Sequence, residues 1–94
     1  MVVQDPNNTF ARYALAQDYA TNERLEEEAA EFARLIEIDP NYTAAYFHGG
    51  KTLQRLGREQ QAREVYERGI AACERVGNAH ALSEMRAALD ELSH

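Results

Sequence analysis

Asp39-Pro40-Asn41-Tyr42 repeats Asp5-Pro6-Asn7-Asn8, and the two prolines stand 34 residues apart. A fixed period of this size outranks every other signal, because it sets the architecture. Laying one unit on the other aligns Tyr13 with Phe47, Ala16 with Gly50, Phe32 with Tyr66 and Ile36 with Ile70. These matches fall at helical spacing. A unit of 34 residues holds two amphipathic helices and two short turns.

Working outward from the prolines, a first helix is expected from about Thr9 to Thr21, entered through Asn7, Asn8 or Thr9 as cap. A second runs from about Leu25 to Ile38 and is stopped by Pro40, which cannot continue a helix. The third covers about Thr43 to Leu56 and the fourth about Glu59 to Val76; Gly57 and Gly77 supply left-handed caps. A fifth begins near Ala79, after Asn78, and runs almost to the C-terminus.

The apolar stripes recur every three or four residues, as buried helix faces require. The third helix carries Tyr42, Ala45, Tyr46, Gly49, Leu53 and Leu56, and the fourth Ala62, Val65, Tyr66, Gly69, Ile70 and Cys73. The fifth has one narrow row, Leu82, Met85, Leu89 and Leu92, with Glu84, Arg86, Asp90 and Glu91 elsewhere. A helix apolar on one side only suits the end of a stack.

Composition agrees with a folded helical chain. Hydrophobic residues make up 45% and charged residues 28%, which argues against disorder. Ala, Glu, Arg, Leu and Gln dominate, while Val, Ile and Thr are too scattered for alternating strands. No run is long and apolar enough to cross a bilayer, and Met1 to Pro6 carries no secretory signal pattern. The lone cysteine, Cys73, has no internal partner. A cytoplasmic setting is the expectation. The net charge of −6 lies wholly in the first half: nine acids against three bases up to Asn41, then seven of each. An acidic chain repels phosphate backbones, so neither nucleic acid nor membrane is an expected partner.

With these residues in place, the sequence resembles the tetratricopeptide repeat family over nearly its whole length. The family's sequence of bulky, leucine, small, aromatic, small, aromatic, small and proline positions falls on Arg12, Leu15, Ala16, Tyr19, Glu28, Phe32, Leu35 and Pro40 in the first unit. In the second it falls on Tyr46, Gly49, Gly50, Leu53, Ala62, Tyr66, Gly69 and Glu74. Small residues let the helices of a hairpin approach, and aromatics fill the wedge between hairpins. Three positions depart from the pattern. Arg12 replaces a large apolar residue, Glu28 replaces a small one (Ala29 could take its place by a one-residue shift), and Glu74 replaces the second proline. The resemblance implies an all-α fold of five helices: a right-handed stack of antiparallel helical hairpins forming one domain. Repeat one covers about 9–42, repeat two about 43–76 and a capping helix about 79–92.

The resemblance also implies that the first helix of each pair lines a concave groove. That places Phe10, Tyr13, Ala14, Gln17 and Ala20 there from the first unit, and Ala44, Phe47, His48, Lys51, Gln54 and Arg55 from the second. The third-helix set is readable independently, as the face opposite Tyr46, Gly49 and Leu53. Aromatics supply buried area and long polar side chains satisfy a peptide backbone, so Phe10, Tyr13, Gln17, Phe47, His48, Lys51, Gln54 and Arg55 form the candidate peptide- or protein-binding set. The plainer alternative is that the aromatics pack between helices. His48, Lys51 and Arg55 make a small basic stripe in an acidic protein, suited to an acidic side chain or a C-terminal carboxylate, or else simply a solvated face.

Glu26-Glu27-Glu28 with Glu31 reads as a solvated outer face at a helix start, where negative charge suits the dipole, rather than as a metal site. No histidine lies on that helix, and no metal or other cofactor is expected. His80 and His94 read as surface residues, and Cys73, continuing a core stripe, as a buried inert thiol. Ser83 and Ser93 sit in no nucleophile motif, and no phosphate loop follows a strand, so the chain is not expected to be an enzyme. The leading function is an interaction module for a peptide or protein. The rival is self-association, as a homodimer scaffold, through the same apolar surface. Repeat arrays generally need about three units, and Phe10, Tyr13, Ala14 and Tyr19 would stay partly exposed on an uncovered first hairpin. The Asp5-Pro6-Asn7-Asn8 start also has the look of the tail of a preceding repeat.

Overall fold

Helix punctuation in the sequence accounts for the boundaries at Asn8, Pro40, Gly57, Gly77 and Asn78. A computed structural model describes residues 8–92, folded as α1 (Thr9–Thr21), α2 (Leu25–Ile38), α3 (Thr43–Arg55), α4 (Glu59–Val76) and α5 (Ala79–Leu92). The Asp5-Pro6-Asn7 part of the repeated motif, Ser93 and His94 lie outside the described residues. Asn8 is the cap that α1 uses: its side chain accepts the Ala11 N–H at 3.1 Å. Asn78 does the same for α5, accepting the Ala81 N–H at 3.1 Å and donating to Thr43 Oγ1 at 3.2 Å.

The C-terminal ends of α1, α3 and α4 share one device. Glu23, Gly57 and Gly77 all have positive φ. The next N–H closes back on the helix each time: Arg24 to the Tyr19 carbonyl at 2.9 Å, Arg58 to Leu53 at 2.8 Å and Asn78 to Cys73 at 3.0 Å. Glycine adopts this conformation freely, whereas a side chain pays roughly 1 kcal/mol or more. Glu23 stands one repeat before Gly57, with φ 56°. Glu23→Gly should therefore raise stability by about 0.5–1 kcal/mol, measured by urea unfolding; a loss would show that the Glu23 side chain contributes something the backbone argument omits.

The turn that revealed the repeat is held from three directions. Asp39 accepts the Asn41 N–H at 3.1 Å in an Asx turn. Tyr46 donates its hydroxyl to the Pro40 carbonyl at 2.7 Å, and Arg75 donates to the Pro40 carbonyl and to Asn41 Oδ1, both at 3.1 Å. The end of α4 is thus tied back to the α2–α3 turn. With Glu74 in place of a proline, α4 continues to Val76 before Gly77 closes it.

Each helix packs on its successor, and α3 also touches α5. The core comprises Ala16, Phe32, Leu35, Ile36, Ala45, Tyr46, Ala62, Tyr66, Ala72, Cys73, Met85 and Ala88. Thr52, Ala72 and Ala88 are buried beyond the predicted stripes, while Leu82, Leu89 and Leu92 are only partly covered. A Cβ on Gly50 would fall 2.6 Å from Tyr66 Cζ, and one on Gly69 would fall 2.6 Å from Tyr46 Cβ. The small residues are where the helices come closest.

The first hairpin corrects one expectation. The acidic start of α2 is not a uniformly solvated face: Glu28 is only 6% exposed, while Ala29 is half-buried. No one-residue shift occurs, and Glu28 occupies the packing position that Ala62 fills in the second hairpin. Arg12 and Glu31 resolve another departure together. Arg12 Nη1 donates to both carboxylate oxygens of Glu31, at 2.9 and 3.2 Å, with side chains only 13% and 15% exposed. Their counterparts one repeat later are Tyr46 and Val65, so an ion pair stands where the second hairpin is apolar. Glu27 pairs with Arg24 at 2.6 Å, and Glu26 pairs across to Arg58 on the approach to α4.

Candidate functional site

Four of the predicted residues meet at the junction of α1 and α3. The His48 ring contacts Tyr13 edge-on at 5.9 Å, stacks on Phe32 at 5.9 Å with the planes 21° apart, and meets Phe47 edge-on at 5.4 Å. Tyr13 also touches Phe32 at 6.1 Å and Tyr42 at 5.7 Å. Tyr13 and Phe47 are neither fully buried nor free; both are partly covered and packed against the core. His48 is likewise half-buried, more enclosed than a residue on a fully open face. Lys51 Nζ lies 5.5 Å from the centre of the Phe47 ring, in cation–π contact.

The other four are dispersed. Arg55, a turn beyond Lys51, is exposed. Gln54 turns toward the core hairpin, where its Oε1 accepts the Tyr66 hydroxyl. Gln17 lines a separate hollow of about 380 Å³ on α1 with Ala14, Leu15, Asp18 and Thr21. Phe10 is 79% exposed.

Two clefts open between neighbouring helices. One of about 270 Å³ lies between α3 and α5, lined by Thr43, Ala44, Phe47, His48, Asn78, His80, Ala81 and Glu84. It places α5 beside the predicted α3 residues. His80 is exposed and its Nε2 lies 3.2 Å from Glu84 Oε1. A larger cleft, about 460 Å³, separates α2 from α4 and contains none of the predicted residues. Ala29, Ala30 and Ala33 make its α2 wall, and Gly49 and Leu53 lie beneath. The sequence signal was available: three alanines on one side of α2 cannot fill a gap that Leu or Phe would close.

The ionisable groups follow their surroundings. Burial lowers the His48 imidazole below its ordinary range, while Glu28 and Glu84 pull it back up. Burial, with a smaller push from Glu91, raises the Tyr66 phenol to about 12, so it remains a donor to Gln54. Burial and then Glu74 raise the Cys73 thiol, which keeps it protonated. Among the described residues, no group of three or more His, Cys, Asp or Glu side chains converges as a metal site. Nor is any described helix long and apolar enough to cross a membrane. What the α1–α3–α5 face offers is contact: partly open aromatic surface beside two cations.

No protein-family model matches the chain. It is 30% identical over 92 residues to a TPR repeat-containing protein, PA0015, of Pseudomonas aeruginosa, an alignment covering 98% of this chain and 88% of that one. Among solved structures, it is similar to a tetratricopeptide repeat domain protein of Salinibacter ruber, at 36% identity. The crystal structure superposes with a TM-score of 0.84, covering 96% of this chain and 97% of that one; the solution structure gives 0.88, covering 95% and 90%. Protein BPP2914 of Bordetella parapertussis superposes at 0.82 with 30% identity, covering 96% of this chain and 76% of that one.

Proposed function

The chain belongs to the tetratricopeptide repeat family, and from that premise we propose that the face shared by α1, α3 and α5 binds a segment of a protein partner, with an acidic side chain or C-terminal carboxylate set against Lys51 and Arg55. The observation that carries this reading is the state of those two cations. Arg12, Arg24, Arg58 and Arg86 each stand within 4 Å of a carboxylate. Lys51 and Arg55, a turn apart on α3, have no such partner among the described residues; of the other arginines without one, Arg68 lies over the Tyr46 ring, Arg75 is bonded to Pro40 and Asn41, and Arg34 stands on α2, so Lys51 and Arg55 are the two that stand together near the Phe47 ring. An unpaired cation pair beside the half-open Phe47 ring is complementary to an anion carrying apolar neighbours. Phe47, His48 and Tyr13 supply the contact area. The cytoplasmic setting is part of the same reading, and no catalytic step is assigned.

Charge reversal tests it. Lys51→Glu with Arg55→Glu should weaken binding of acidic, free-carboxylate peptides at least tenfold, while the same peptides with amidated termini and neutral side chains bind the native protein weakly. Calorimetric titration against such a peptide set makes the measurement. Equal affinity for native and reversed proteins would remove Lys51 and Arg55 from the site.

A second reading has its own observation: Phe10, 79% exposed on α1, is an apolar side chain suited to contact with another copy. Sedimentation equilibrium over a wide concentration range separates the two. A monomer throughout leaves the face free for a peptide, whereas a dimer abolished by Phe10→Ala assigns α1 to self-association.

A further inference from the structure

The cleft between α2 and α4 has walls too short to close it. Phe32, Ile36 and Leu53 supply an apolar floor and Val65 part of the α4 side, but the α2 wall is alanine. A dry cavity of about 150 Å³ lined by Leu, Ile and Phe accepts benzene. About 460 Å³, open on one side, therefore has room for a ring and part of the chain that carries it. The rim favours an aromatic occupant over an aliphatic one. Arg58 and Arg68 both line the cleft, and a guanidinium is attracted to the face of a ring. Arg68 already stands 5.9 Å from the centre of the Tyr46 ring.

From this placement we infer that the α2–α4 cleft receives the Phe10 side chain of a second copy of the chain. Among the described residues the exposed large apolar side chains are Phe10, at 79%, and Val76, at 47%, and of these only Phe10 has a ring. It stands in the first turn of α1, with only Thr9 and Ala11 beside it. α1 packs on α2 and does not line the cleft, so the ring that fills it comes from another molecule. Charge is complementary as well. α1 has no acid in its first turn to offset the positive end of its dipole, and exposed Glu64 on the cleft rim supplies the matching charge.

Ring and cleft are different patches, so each copy donates one ring and receives another. Such a contact is heterologous: it builds a head-to-tail chain or a closed ring of copies, not a symmetric pair. One inserted side chain makes a small interface of the weak, transient class, so assembly should appear only at high protein concentration. Self-association through Phe10, the second functional reading, is presupposed, and the receiving cleft is what is added to it. Lys51 and Arg55 take no part.

Sedimentation equilibrium of the full chain up to about 1 mM, a range that reaches weak complexes, reads the assembly. The native protein should gain mass with concentration. Phe10→Ala removes the ring, and Ala33→Gln fills the cleft with a longer side chain without adding apolar surface; each should weaken association at least tenfold. Both positions are exposed, so urea unfolding of each variant should match that of the native protein. An equimolar mixture of the two then decides the geometry. Phe10→Ala keeps an open cleft and Ala33→Gln keeps the ring, so together they should form a one-to-one complex and nothing larger. In that mixture the Ala29 and Val65 methyl signals of labelled Phe10→Ala should shift. Native-like association by Ala33→Gln alone would overturn the cleft assignment while leaving Phe10 as a self-association residue. A native chain that stays monomeric, or a Phe10→Ala chain that associates as the native one does, would overturn both; in the first case the cleft is left for an aromatic residue of a different protein.

Discussion

Gly69→Ala should destabilise the protein by about 2–3 kcal/mol and lower its melting temperature by roughly 10–20 °C, given about 4–8 °C per kcal/mol for a domain of this size. Two effects oppose each other. Alanine is a better helix former than glycine by about 1 kcal/mol, and Gly69 sits inside α4 with ordinary negative φ. Yet the new methyl would fall 2.6 Å from Tyr46 Cβ and also against the Met85 sulfur. The sulfur ends a flexible side chain, but Met85 is fully buried and has little room to retreat. Tyr46 Cβ is fixed to the backbone of α3, and its hydroxyl is anchored on the Pro40 carbonyl at 2.7 Å. Relief therefore requires α3 and α4 to separate, so the steric term wins. Gly49→Ala makes the contrast: its methyl would meet Phe32 Cβ at 3.2 Å, a contact that a few tenths of an ångström can relieve, so its cost should be clearly smaller. Thermal and urea unfolding of both variants check the ranking; a neutral Gly69→Ala would mean that α3 and α4 are not in close contact there.

That close approach was legible in the sequence, because repeat alignment singles out small residues where hairpins must meet. So were the helices, since Pro40, Gly57, Gly77, Asn8 and Asn78 act locally: a cap or a stop depends on its own few residues. What escaped depends on partners far along the chain. Nothing near Glu28 separates it from exposed Glu26; its burial depends on how α2 is packed by the helices on either side of it in sequence, α1 and α3. Arg12 and Glu31 were each anomalous or unremarkable alone, and are intelligible only as a pair 19 residues apart. The α3 residues predicted for the site divide for the same reason. Lys51 and Arg55 remain near solvent as periodicity suggests, but Gln54 is drawn away by the Tyr66 hydroxyl and His48 is enclosed by rings from two other helices. The α2–α4 cleft was missed because a helical wheel reports which face is apolar, not whether its side chains are large enough to fill the space.

Phe32→Ala should have the largest effect of any single substitution at the junction between the hairpins, a loss of about 3–5 kcal/mol. Small domains have total stabilities of about 5–15 kcal/mol, so a substantial unfolded population is expected near physiological temperature. Phe32 is almost wholly buried, contacts Tyr13 and His48, lies over Gly49 and forms part of the floor between α2 and α4. Removing its ring takes away the surface against which both hairpins close, and the neighbours cannot collapse into the space cheaply: Gly49 has no side chain to advance, and Ala29 and Ala33 are too short. Phe10→Ala provides the comparison within the same residue type. Its ring is largely in water, so the change in monomer stability should stay within about 0.5 kcal/mol. The two variants also separate packing from recognition. Phe32 lies behind Tyr13 and His48, so its loss should weaken the proposed peptide binding in proportion to disorder of those rings, even where enough folded protein remains to titrate. If Phe32→Ala costs less than about 1.5 kcal/mol by urea unfolding, the first hairpin is not packed on α3 as described.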